Sequence, residues 1–295
     1  SGQFKAIKNG GAPIGTWASS GAVNTARGWM ASAGTQTAGM IMGGDPGART
    51  DKTELYDGST WTEVNDLNLI RGQNVGAGLQ TASITFGGIS PPQSPAEIPN
   101  TESWDGTNWT EVGDLNERKY GMSGFGTATA AVSGGGFTTT GVSSTETWNG
   151  SSWTEVNEMN TARWYLTGAG TQTSGIAAVG ATPSQVSNVE TWDGTSWTET
   201  TNANTARDQM CDGAGASDSN ALIYGGATPS ASALTEFWDG TSWTEVADLA
   251  TARKGIGAFG ISTSAVAASG ATPTRVTNTE DFSAADFTIN PVTTS

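Results

Sequence analysis

Apolar residues along this chain come in short bursts that close on glycine or a polar turn, and no helical periodicity runs through them. TAGMIMGG (37–44), ASITFGG (82–88) and NALIYGG (220–226) are typical, and each is preceded by a small-residue segment such as GAGTQT (168–173) or GAFGIST (257–263). Shorter pieces follow, of the kind TELYDG (53–58) or VETWDG (189–194), and then a WTEV-like segment. Bursts of this length between turn residues read as β-strands. The unit therefore holds four strands: A after an arginine, B before a glycine, C before Asp-Gly, and D carrying Trp-Thr-Glu. Asp57-Gly58, Asp105-Gly106, Asn149-Gly150, Asp193-Gly194 and Asp239-Gly240 predict tight C–D hairpins of type I′, whose positive φ angles suit Asp, Asn and Gly.

The unit repeats. Trp17, Trp61, Trp109, Trp153, Trp197, Trp243 and Phe287 stand 44 to 48 residues apart. Arg27, Arg71, Arg118, Arg163, Arg207 and Arg253 open successive units. A glycine closes strand B seventeen residues later at Gly44, Gly88, Gly135, Gly180 and Gly270, while the fifth unit slips to Gly225-Gly226. Glu54, Glu102, Glu146, Glu190, Glu236 and Glu280 follow, one in each strand C. A fixed period of this size marks an array of one supersecondary unit. Six marks of each kind predict an all-β, six-bladed β-propeller with four antiparallel strands per blade over residues 15–290. A solenoid of the same period would need polar capping repeats, and none is present. Residues 1–14 read as an N-terminal extension and 291–295 as a C-terminal tail.

The order Gly43-Gly44, Tyr56, Trp61 resembles the kelch repeat, which places a double glycine after strand B, then an aromatic, then a tryptophan. The likeness covers roughly residues 15–290. It departs in the C–D turn, where Tyr56 and Trp61 are closer than in the usual kelch hairpin, and at the unpaired Gly180 and Gly270. The WTEV and DGTSW style is more similar still to kelch-like proteins of marine bacteriophages. That resemblance implies a component of a virus particle: a tail fibre, a receptor-binding protein or a capsid decoration protein, located in the virion or otherwise soluble and extracellular. A WD40 reading of Trp192-Asp193 fails because its partner histidine is missing.

Composition narrows the chemistry. Charged residues are only 14% of the chain and the net charge is −15, which disfavours nucleic acid and anionic membranes as partners. No apolar stretch is long enough to insert into a membrane. Histidine is absent, which removes the commonest metal ligand and general base together with the ligand set of copper-radical kelch enzymes. Cys211 is the single cysteine, so an intrachain disulfide is excluded. The expectation is a non-enzymatic module with no cofactor and no metal site. Paired carboxylates remain formally able to do acid–base work, but nearly every Asp and Glu holds a repeat position.

Three groups are candidates for more than framework duty. The six arginines would line the axis as an anion site or, as the repeat favours, pair with the six glutamates. Trp29, Tyr120, Trp164 and Tyr165 stand one or two residues beyond their arginines and gather near one channel mouth, as a sugar platform or as packing under the loops. The B–C connections vary most, and that of blade two carries Pro91, Pro92, Gln93, Pro95 and Pro99, a stiff tip suited to partner contact. Expected partners are other virion proteins or copies of this chain; the alternative is a glycan-binding or glycan-active propeller that uses the aromatics at the channel mouth on a cell-surface glycan. Trp17 and Phe287 compete for the outer slot of the last blade. The intact Asp-Gly hairpins elsewhere and the degenerate FSAADF favour Trp17, leaving Phe287 free to pair with a neighbouring subunit or to fray.

Overall fold

A computed structural model of the chain describes residues 15–92, 96–210 and 212–284. The N-terminal extension, Gln93, Cys211, Phe287 and the C-terminal tail lie outside the described residues.

Blade one is built from β2 (Ala31–Thr35), β3 (Ala38–Met42), β4 (Thr53–Tyr56) and β5 (Trp61–Glu63), paired antiparallel in that order. Four further sheets repeat the order, and the sixth consists of Gly257–Ile261, Ser264–Ala268, Thr279–Ala284 and β1 (Gly15–Ser20). The A strands contact one another in a closed circuit, the last against the first. The protein is an all-β, six-bladed propeller with four strands per blade.

The chain closes through its N-terminal side. β1 pairs with Thr279–Ala284 in the register Trp17↔Phe282, so Trp17 takes the outer slot. Tyr56 of blade one seals the seam, because its hydroxyl contacts Ser20 of β1 and Asp281 of blade six.

The core lies between blades, since strand B of each blade is buried on four consecutive residues and both sheet faces meet a neighbour. Met40 and Met42 of blade one pack with Trp104 and Trp109 of blade two, and Val75 and Phe86 of blade two with Trp148 and Trp153 of blade three. The D-strand tryptophans also carry a directional link. The indole N–H of Trp61, Trp109, Trp153, Trp197 and Trp17 donates to Oγ1 of Thr279, Thr53, Thr101, Thr145 and Thr235, the first strand-C residue of the preceding blade, at 2.9–3.1 Å. Val189 breaks the series, and Trp243 turns to the Thr201 carbonyl at 3.0 Å.

The C–D hairpins form where Asp-Gly stands, but not as two-residue type I′ turns. The strands pair at Tyr56↔Trp61, leaving a four-residue loop. Gly58 has φ +93, whereas Asp57 does not enter positive φ. Its carboxylate instead accepts the Ser59 and Thr60 N–H groups at 2.8 and 2.7 Å. Such an Asx cap supplies by side chain what the mirror-image turn would supply by backbone twist, and it holds the Asp57 carboxyl below the ordinary carboxylate range. The double glycine is likewise a backbone requirement. Gly43 and Gly44 sit at φ +68 and +104, and where the first glycine is missing, Val179 and Ser269 adopt φ +56 and +55.

Candidate functional site at the loop face and central channel

The repeated charges are buried away from solvent. Arg27, Arg71, Arg163, Arg207 and Arg253 are fully buried and pair with Glu54, Glu102, Glu190, Glu236 and Glu280 at 2.5–3.0 Å. Burial pushes each guanidinium below its ordinary pKa, and the carboxylate beside it pulls the value back up. The second glutamate oxygen accepts the N–H of the loop residue three before the arginine, as from Asn24 and Asn160 at 2.7 Å. Each pair therefore locks the D–A crossover onto strand C.

Blade three corrects the assignment of Arg118, which is exposed. Lys119 takes the buried place and lies 3.7 Å from Glu146. The ten-residue step from Trp109 and the Asn116-x-x-Lys119 spacing, matching Asn24-x-x-Arg27, carried that signal. Lysine is a single ammonium on a flexible stem, so it cannot reproduce the forked contact of arginine.

The candidate aromatics divide into two tiers. Trp29, Gln73, Gly121, Tyr165, Gln209 and Gly255 occupy equivalent places, one per blade, with φ between +53 and +60. They hold hands through the backbone. Trp29 N–H donates to the Gly255 carbonyl at 2.8 Å, Gln73 to Trp29 at 2.7 Å and Gly121 to Gln73 at 3.1 Å. Tyr165 donates to Gly121 at 2.6 Å, Met210 to Tyr165 at 3.3 Å and Gly255 to Gln209 at 2.8 Å. This closed hydrogen-bonded circle rims the channel mouth. Each aromatic leans on a glycine, since a Cβ on Gly255 or Gly121 would stand 2.9 Å from the Trp29 or Tyr165 ring.

Tyr120 and Trp164, one position earlier, stand outside that rim against the B–C loops. Tyr120, Phe137 and Trp164 form a partly exposed aromatic run with centroids 5.4 and 5.0 Å apart, and Tyr165 joins it 6.1 Å from Tyr120. Trp29 is separate and lies under the Arg275 guanidinium, 5.3 Å from the ring centroid. Pro91 and Pro92 are exposed at the tip of the second B–C loop.

Inside the rim, a channel of about 140 Å³ is walled by glycine-rich A strands. Among the described residues one charge-capable side chain enters it. Asp212 of blade five reaches across the axis to blades one and two, accepting the Ser32 N–H at 2.6 Å and, more weakly, the Gly76 N–H at 3.5 Å. Burial pushes its carboxyl up to about 8, against the pull of the Ser32 and Gly76 contacts. Ser32 Oγ centres the local network: its hydroxyl lies 2.9 Å from Asp212 Oδ2 and 2.8 Å from the Ala258 carbonyl, either of which accepts its proton, and it accepts the Ala258 N–H at 2.9 Å. Asp212 is a crossbar in the channel whose burial favours the neutral form of its carboxyl. The slipped spacing of the fifth unit, from Arg207 to Gly225-Gly226, was its only trace in the sequence.

Among the described residues no group of three or more Cys, Asp or Glu side chains is placed to hold a metal ion. No protein-family model matches the chain, and no curated protein matches it. Among solved structures the chain is similar to that of YjhT, with 13% identity and a TM-score of 0.72 over 88% of this chain and 96% of that one. At that identity the likeness establishes a shared propeller fold.

Proposed function

We propose that this protein is a non-enzymatic binding and assembly module, presenting diversified B–C loops from one face of a rigid wheel, and that it serves as a component of a phage particle. One observation carries the first half. Six buried cations are consumed by six buried glutamates, so the repeated charge chemistry holds the wheel together and recognition is left to the loop tips and the aromatics beside them. The kelch-like WTEV and DGTSW repeats, similar to those of marine bacteriophage proteins, support the second half. The partners are then other virion proteins or further copies of this chain. Mass spectrometry of purified particles, with the wheel located by imaging, tests the assignment; particles lacking this chain would remove it.

A glycan is the second reading, and the run Tyr165, Tyr120, Phe137, Trp164 is what favours it, since aromatic faces beside hydroxyl groups suit sugar rings. Glycan-array binding lost on combining Trp29→Ala with Trp164→Ala supports it. An array silent at high protein concentration leaves the protein-binding reading alone.

A further inference from the structure

We infer that the cleft between blades three and four is a socket for an arginine-bearing basic segment of a partner protein, an inference that rests on the binding-module reading above. The repeat itself shows how the socket arises. In blades one, four and six the residue four beyond the start of the B–C loop, Arg49, Gln185 or Arg275, reaches over the next blade, whereas blade five carries the short Ala231 there. Gln185 Nε2 donates to Asp208 Oδ1 at 2.9 Å. A Cβ on Gly72 would stand 3.2 Å from the Arg49 side chain. Arg275 covers Trp29 and pairs with Asp45 at 3.0 Å. Blade three has Gly141 at this place, so no such side chain exists. A Cβ there would come within 2.6 Å of the Trp164 ring, which lies where the others keep their cover.

Two depressions meet at Gly141 and Ala162. One, of about 380 Å³, is walled by Phe137, Trp164 and Pro183. The other, of about 580 Å³, is lined by Glu117, Glu155 and Glu158. The equivalent place in blade two holds only about 160 Å³. There Arg71 fills the space, donating to the Asn100 carbonyl at 2.7 Å and to Glu102 at 2.6 Å. Lys119 in blade three stops short, bonding Ser144 and lying 3.7 Å from Glu146. Among the described residues Lys119 pairs with Glu146 alone, leaving Glu117, Glu155 and Glu158 without a cation within salt-bridge distance.

Carboxylates beside a partly exposed tryptophan match a guanidinium, which forks onto carboxylates and stacks on aromatic faces. The wheel already makes this match once, with Arg275 between Trp29 and Asp45. A chain of net charge −15 also steers basic segments toward itself.

The test is fluorescence anisotropy with a labelled Gly-Ser-Arg-Gly-Arg-Gly-Ser peptide and its citrulline counterpart, which keeps the shape and loses the charge. Binding of the arginine peptide is expected to exceed that of the citrulline peptide and to fall with added salt. Trp164→Ala and the double change Glu117→Gln with Glu158→Gln should each weaken it by about tenfold, while Ile261→Ser on the opposite face leaves it unchanged. Far-UV spectra and melting curves of each variant separate lost folding from lost binding. Equal binding of the two peptides, insensitivity to Trp164→Ala, or no binding near 1 mM overturns the socket. So does a neutral oligosaccharide bound in a Trp164-dependent manner, which assigns the cleft to sugars. A chain found in particles whose cleft variants still assemble would discard the socket and keep the binding module.

Discussion

Asp212 is the residue with the most to say about pH. Its carboxyl is raised from 3.8 to about 8 by burial. A raised carboxyl means that the folded state holds a proton which the unfolded state releases first. The stability it supports is complete below about pH 4 and is lost as pH climbs toward about 8. The melting temperature of the native protein is therefore expected to decline across that window, and Asp212→Asn to flatten the decline. Parallel curves for the two proteins would show that Asp212 does not hold the proton. Lys119 and its neighbour Arg118 make a second contrast. Lys119→Ala strands Glu146 as a buried charge and should cost about 3 kcal/mol by denaturant titration, whereas Arg118→Ala should change stability by less than about 0.5 kcal/mol. Equal effects would put the buried cation back at Arg118.

At the scale of strands and turns, the tryptophan–threonine link is what orients one blade on the next. Thr101→Val keeps shape and β-propensity but removes the acceptor of the Trp153 indole N–H, which is buried. A buried donor left unmet costs about 1–3 kcal/mol. The native Val189 shows how the cost is relieved, by a nearby carbonyl at Thr201. Val189→Thr should accordingly change the melting temperature little, and a large gain would mean that Trp243 is strained where it stands. These elements were largely legible in the sequence, because apolar alternation, glycine pairs and Asp-Gly turns are local signals. Turn geometry was less so: Asp57 closes its hairpin by side-chain capping, which the dipeptide alone does not distinguish from a type I′ turn. Arg118 misled because two cations are adjacent, and only the ten-residue step from Trp109 and the alignment of Asn116 with Asn24 separate them. Asp212 and Gly141 were far less legible, for a different reason. Their importance comes from blades far apart in sequence converging on the axis, or from a side chain missing at a loop position where blades one, four and six carry a long one.

On the scale of the wheel, closure rests on a strand borrowed from the opposite end of the chain. β1 supplies Trp17, whose ring packs on Tyr224 and Phe282 at 4.8 and 5.2 Å and whose indole N–H reaches Thr235 at 3.1 Å. Ser20 then meets Tyr56 across the seam to blade one. Losing β1 removes one partly buried aromatic and its hydrogen bond, and it also bares the edge of Thr279–Ala284, a row of unpaired backbone groups open to another chain. A protein beginning at residue 21 should melt well below the full chain and should associate in a concentration-dependent way during sedimentation. Because the lost element is a single extended strand, it can be returned from solution. A peptide of the sequence GTWASS, matching Gly15–Ser20, should raise the melting temperature of the shortened protein and disperse its aggregates, whereas GTAASS should do neither. Were the shortened chain to stay monomeric with its melting point unchanged, closure would depend on the six-membered backbone circle at the channel mouth and the inner strands instead, and the outer strand would be cladding rather than a clasp.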